Sequence, residues 1–205
     1  FEKIFKKFGI QTSYFDFTNK EYIQQISKVK PSLIWLESPT NPLLKILNLK
    51  EICSEANLRK IPVVVDNTFC TAVIQKPLEL GATLSLISTT KFINGHSDAL
   101  GGAVITNDES WNNKMIFSQK SLGLNPSPFD CWLITRGLKT LPLRIAQQTE
   151  NAHFIANELN SHKLIDQLIY PFNKNHPQFE LAKSQMKIGG SMITLKLKLN
   201  KNDTF

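Results

Sequence analysis

Lys91 stands directly behind Ser88-Thr89-Thr90, at the exit of the apolar run TLSLI (83–87). A lysine amine that has shed its proton condenses with an aldehyde to a Schiff base, and once released it can carry protons as an acid or base. Two more polar segments leave apolar runs in the same way: ESPTNP (37–42) after SLIWL, and DNTF (66–69) after IPVVV. A carboxylate such as Asp66 can hold a proton on a ring nitrogen, so that the ring accepts electrons from a substrate carbanion. The hydroxyls of Ser88 and Thr90, three and one residues before the lysine, can bind a phosphate, and Asn41 can donate to a ring hydroxyl or lie beside it. With Thr68, these side chains match the tasks that pyridoxal 5′-phosphate sets. Each also has a plain structural use, since Asp and Asn are ordinary turn formers after a strand and Asn94-Gly95 is a standard turn dipeptide.

The elements that position them follow from hydrophobic periodicity. Phe1, Ile4, Phe5 and Phe8 share one helical face, Gly9 supplies a stop, and Ile10 to Phe17 reads as a strand. Then come a helix over Lys20 to Lys28, a strand over Ser32 to Leu36, an amphipathic helix over Leu47 to Arg59 and a strand over Ile61 to Val65. A short helical PLELGA, the strand Thr83 to Ile87, a polar loop through Asp98 and a strand around Ala103 to Thr106 complete the series. Continuous β-branched runs such as IPVVV belong to strands buried on both faces. The alternation predicts an α/β fold, a mainly parallel sheet with helices on both faces, which brings all three polar exits to one carboxyl edge. After Asp108 the pattern turns helical: Trp111 to Lys120, Phe129 to Leu138, and about Thr140 to Leu159. The strand LIDQLIY, a loop rich in Pro and Asn, a helix around Glu180 to Met186 and the alternating ITLKLKL then suggest the opening of an antiparallel α+β unit.

Composition narrows the function class. The chain has 205 residues, is 41% hydrophobic and 20% charged, and contains no apolar run of the roughly 18 residues that cross a bilayer. A protein of the cytoplasm, without a membrane partner, is the expectation. The net charge of +7 comes almost entirely from scattered lysines, with arginine only at 59, 136 and 144. Nucleic-acid binding is therefore not expected, because phosphate and guanine recognition favours the guanidinium fork. Cys53, Cys70 and Cys131 are far apart and unpaired in motif, and the four histidines lack metal spacing, so reduced thiols and no metal site are expected.

ESPTNP, DNTF, STTKFINGHSD and FDCWLITRGLKTLPLR resemble the pyridoxal-phosphate-dependent trans-sulfuration enzymes of cysteine and methionine metabolism, from about Phe1 to Met192. The resemblance implies the fold type I aminotransferase architecture and usually a homotetramer of paired dimers. It makes Lys91 the catalytic Schiff-base lysine, Asp66 the pyridinium partner and Ser88 and Thr90 phosphate ligands, with Asn41 and Thr68 beside the ring. A small amino acid would displace Lys91, whose freed amine would move protons among the substrate's α- and β-carbons and the cofactor. Loss of a γ-substituent would then lead to γ-replacement by a cysteine thiol, as in cystathionine γ-synthase, or to elimination, as in cystathionine γ-lyase and related C–S lyases. Phe69 and Asn94 look more like these two branches than the β-lyase branch. Arg136 and Arg144, in the RGLKTL region, are expected to serve packing or an interface.

Members of that family are nearly twice as long, so a fragment is expected: residues 1–138 from the cofactor domain, 139–160 a connecting helix and 161–205 the start of a small domain. A catalytically incomplete piece with no activity is the alternative from another class. A serine hydrolase is a further rival, since Gly95-His96-Ser97-Asp98-Ala99 lies one residue from the G-x-S-x-G elbow, with Ala99 where the last glycine belongs. Nucleotide binding lacks both GxGxxG and GxxxxGK.

Overall fold

A computed structural model describes residues 2–198; Phe1 and Leu199, assigned above to a helical face and to the last alternating run, lie outside them. A 3-10 turn over Phe5–Phe8 ends at Gly9, whose φ of 81° is the left-handed stop its sequence position suggests. Helix α1 (Tyr22–Val29) leads to strand β1 (Ile34–Glu37), α2 (Leu49–Leu58), β2 (Val63–Asp66), the short α3 (Thr71–Ile74) and β3 (Leu84–Ser88). A π-helical turn over Thr89–Ile93 separates β3 from β4 (Gly102–Ile105). The helices α4 (Glu109–Ser121), α5 (Pro128–Leu138) and α6 (Leu141–Leu159) follow, then β5 (Ile165–Ile169), α7 (Phe179–Gln185) and β6 (Thr194–Leu197).

The first four strands form one sheet in the order β1-β2-β3-β4. β1, β2 and β3 are parallel and β4 runs antiparallel to β3. Val63, Val64 and Val65 of the inner strand β2 are all buried, as a β-branched run between two neighbours should be. One face of this sheet is covered by α1 and α2. Leu49, Ile52, Cys53 and Ala56 recur at i, i+3, i+4 and i+7 along α2 and pack with Tyr22 and Ile26 of α1 against Ile34, Leu36, Val63 and Val65. Asn48 caps α2: its side chain accepts from the Glu51 amide at 3.2 Å and donates to the Glu51 carboxylate at 2.9 Å, a reciprocal closure of the first turn.

A second cluster joins Ile46, Cys70 and Ile74 to Leu141 and Ile145 of α6 and to Ala182 and Met186 around α7. β5 and β6 pair antiparallel, and Tyr170 beside them is buried against Ala152 and Ala156 of α6. Among the described residues no helix is long and apolar enough to cross a membrane.

Three local expectations are corrected. Ile10 to Phe17 forms no strand, because it meets no sheet edge; Ile10 and Tyr14 stay exposed, and Asp16 turns the chain by accepting the Thr18 amide at 2.9 Å. PLELGA makes successive turns rather than a helix, ending at Gly81 with φ 97°, while the helix of this connection is α3, just upstream. The polar loop after β3 begins as the π-helical turn that carries Lys91.

Cys53 and Cys70 are buried, and burial alone pushes the Cys53 thiol up to about 12 and raises Cys70 still further, whereas Cys131 is exposed. Ellman's reagent is therefore expected to titrate one thiol quickly in the folded chain and all three only in denaturant; rapid reaction of all three without denaturant would contradict this packing.

Candidate functional site

Parallel pairing sets Glu37 beside Asp66 and Asp66 beside Leu86, so β1, β2 and β3 end nearly level. A cleft of about 1080 Å³ opens at that edge. All six side chains singled out by the sequence, Asn41, Asp66, Thr68, Ser88, Thr90 and Lys91, line it. Its size lies just above the roughly 300–1,000 Å³ usual for small-molecule sites.

Each group is held by its strand exit. The Thr68 amide donates to Asp66 Oδ1 at 2.9 Å, and Thr68 Oγ1 accepts from the Ser88 amide at 2.9 Å, tying the exit of β2 to that of β3. Thr90 Oγ1 accepts from the Gly101 amide at 3.0 Å, with the Gly101 carbonyl a longer 3.3 Å away. Its own proton is thus only loosely committed. Lys91 departs from helical geometry inside its turn, at φ −90° and ψ −117°, and its side chain is exposed. Phe69, Phe92, Ala99, Leu100 and Met192 form the apolar part of the lining.

Beneath the cleft, a buried polar network fixes the exits of β1 and β2. Gln75 Nε2 donates to the Ser38 carbonyl at 2.8 Å and to Asn67 Oδ1 at 3.1 Å, and Asn67 Nδ2 donates back to the Gln75 carbonyl at 2.8 Å. Gln185 of α7 donates to Gln75 Oε1 at 3.1 Å. Every amide in this chain of contacts has a partner, so the network adds rigidity without leaving a buried polar group unpaired.

Glu37, the first residue of ESPTNP, also lines the cleft, although no chemical role follows from its motif. Its position carries the signal, since Glu37 is the acidic last residue of β1 just as Asp66 is of β2. Burial raises the pKa of its carboxyl and the neighbouring Asp66 charge adds to this, while a hydrogen bond from the Asn41 backbone amide pulls the other way. Gln148 of α6 and Met192 also reach the lining and carried no motif. Arg136 is exposed, whereas Arg144 packs onto the lysine turn. Ser97, the rival nucleophile, also lines the cleft but sits at φ 57° in a bend that no helix follows, and His96 Nδ1 is bonded to the Asn94 carbonyl at 2.7 Å. The strand–turn–helix elbow is absent from this segment.

The donor set fits pyridoxal 5′-phosphate: an amine for its aldehyde, a carboxylate for its ring nitrogen, three hydroxyls and a carboxamide for its phosphate and ring oxygen. The Ser88 hydroxyl makes no hydrogen bond among the described residues, which leaves it available to an anion.

The titration of Glu37 generates a prediction. A carboxyl whose pKa is raised in the folded chain favours folding in its neutral form, and this contribution is lost as pH rises through the raised value. Glu37→Gln keeps an acceptor for the Asn41 amide and cannot ionise. Melting curves are expected to show no change at about pH 4 and a higher Tm for the variant at pH 7; a gain only at acid pH would contradict the assignment.

The family model described as Cys/Met metabolism PLP-dependent enzyme matches residues 1–205. A probable cystathionine gamma-synthase of Herpetosiphon aurantiacus is 41% identical over 198 residues, covering 97% of this chain and 62% of that protein. The cystathionine gamma-lyase of Dictyostelium discoideum is 40% identical over 198 residues, covering 97% and 51%. The crystal structure of cystathionine gamma synthase from Xanthomonas oryzae pv. oryzae, in complex with aminoacrylate and cysteine, superposes with a TM-score of 0.95 at 38% identity, covering 98% of this chain and 52% of that one. The chain thus spans between about half and three fifths of the length of the proteins it matches.

Proposed function

This chain belongs to the Cys/Met metabolism family of PLP-dependent enzymes, and from that premise we propose that it carries the cofactor site of an enzyme of γ-replacement on a homoserine ester, with cysteine as the incoming thiol. The observation that carries the reading is the convergence of Asn41, Asp66, Thr68, Ser88, Thr90 and Lys91 on one cleft at the carboxyl ends of β1, β2 and β3. Pyridoxal phosphate, when bound, supplies an aldehyde for an amine and an electron sink for charge left at the substrate's α-carbon.

The chain's own residues do the rest. Lys91 would hold the cofactor through Nζ, and its free amine would take the α-proton and pass protons between the substrate's α- and β-carbons. Asp66, its Oδ1 fixed by the Thr68 amide, would hold a proton on the ring nitrogen. Ser88 and Thr90 would supply hydroxyls to the phosphate, and Asn41 and Thr68 would supply polar contacts to the ring. In the replacement, the bond from the γ-carbon to the leaving carboxylate's oxygen breaks, a bond from that carbon to the cysteine sulfur forms, and the thiol gives up its proton. No redox partner enters the balance. Elimination from a cystathionine-type substrate, as in the similar gamma-lyase, uses the same residues, and product analysis separates the two.

In the same reading residues 1–138 hold the cofactor, 139–160 connect, and 161–205 begin a second domain in a cytoplasmic homodimer or homotetramer. The large apolar side chains left exposed on α4 and α5, among them Phe117, Phe129 and Trp132, suit such self-association.

Borohydride reduction of the protein with pyridoxal phosphate, followed by peptide mapping, is expected to place the pyridoxyl group on Lys91, and label on any other lysine refutes the anchor. Lys91→Ala is expected to lose at least about 10³-fold in turnover while remaining folded, since proton transfer by a placed side chain alone contributes roughly 10²–10⁴-fold. Cystathionine formed from an O-acyl homoserine and cysteine identifies replacement, whereas an α-keto acid formed from cystathionine identifies elimination.

A further inference from the structure

The turn that carries Lys91 ends on backbone carbonyls that no amide of the turn can reach. Of its carbonyls, Thr89 O accepts from the Asn94 amide at 2.9 Å and Lys91 O from the Gly95 amide at 2.8 Å. Phe92 O and Ile93 O, the two that directly follow the lysine, receive Arg144 of α6 instead. Nη1 donates to Phe92 O at 2.9 Å and Nη2 to Ile93 O at 3.2 Å. The same guanidinium donates to the Gly137 carbonyl at 2.8 Å and, through Nε, to Thr140 Oγ1 at 3.0 Å. Its acceptors are thus neutral groups at the end of the lysine turn and at the junction of α5 and α6. Among the described residues it forms no salt bridge.

Two glycines make room for this contact. Gly95, at φ 75°, lies so close that a Cβ there would strike the guanidinium, and a Cβ on Gly137 would strike the Asn94 carbonyl. Orphan carbonyls at a helical terminus need donors, and here one side chain supplies them across 51 and 52 residues of sequence. A lysine at position 144 would bring the charge without the fork that reaches several carbonyls at once.

We infer that Arg144 is a positioning residue for Lys91: by holding the carbonyls of Phe92 and Ile93 against α6, it fixes the turn from which the lysine amine enters the cleft. The inference rests on the cofactor reading above and deepens it, since Arg144 is not among the cleft-lining residues and acts only through the backbone beside Lys91.

The test uses the protein as its own gene encodes it. Wild type, Arg144→Lys and Arg144→Ala are incubated with pyridoxal phosphate, samples are reduced with borohydride over time, and the label on the peptide containing Lys91 is quantified. Thermal melting of each protein without cofactor runs alongside. Both variants are expected to label Lys91 at least about tenfold more slowly per folded molecule, the factor that corresponds to one lost charge-assisted hydrogen bond. Equal labelling rates in all three proteins overturn the inference. So does a loss of labelling that only follows the fraction of protein unfolded in both variants, because the arginine would then support the fold and not the lysine. Absence of label on Lys91 in wild type overturns the cofactor reading itself, and the inference with it.

Discussion

Parallel pairing of β1, β2 and β3 is the constraint from which the site follows. Strands that run the same way and end at the same level deliver their exits to one edge, and the register of Glu37 with Asp66 fixes that level. The interior of β2 is buried throughout, so its polar group, Asp66, stands where the strand stops. Exits in such a sheet leave backbone amides without ladder partners, and here side chains of the site supply them: Thr68 Oγ1 serves the Ser88 amide and Asp66 serves the Thr68 amide. Groups suited to hold a cofactor therefore also close the ends of the sheet, and their placement is a by-product of satisfying the backbone.

Support comes from two directions. Below the cleft, Asn67 and Gln75 bind each other and the Ser38 carbonyl, so the exits of β1 and β2 move together. Beside it, α5 and α6 press against the lysine turn, with Gly137 at the Asn94 carbonyl and Arg144 at the carbonyls of Phe92 and Ile93. The floor of the site is thus built from buried, paired amides, and the turn that carries Lys91 is held by a cation that has no carboxylate partner among the described residues. Glu37 adds a carboxyl beside Asp66 whose proton is retained more strongly than usual because burial and the adjacent charge disfavour its ionised form.

Much of this was legible in the residues. IPVVV could only be an inner strand, the spacing of Leu49, Ile52, Cys53 and Ala56 specified the buried face of α2, and three polar segments behind three apolar runs predicted one shared edge. What escaped was tertiary. Ile10 to Phe17 reads like a strand but pairs with none, Asp16 turning the chain at Thr18, and the helix of the connection after β2 lies at Thr71–Ile74, directly before Gln75 enters the buried network. The lysine segment looked like a loop because its π-helical turn is held by Arg144, a donor more than fifty residues away that no local pattern announces. Arg144 itself could be assigned to packing, but not to what it packs on.

The most direct test of the account is a crystal structure of the protein grown with pyridoxal phosphate. The account predicts a covalent bond from Lys91 Nζ to the cofactor's aldehyde carbon, an Asp66 carboxylate oxygen within hydrogen-bond distance of the ring nitrogen, and the phosphate on the hydroxyls of Ser88 and Thr90. A cofactor bound through another lysine, or one whose ring nitrogen lies away from Asp66, would contradict it.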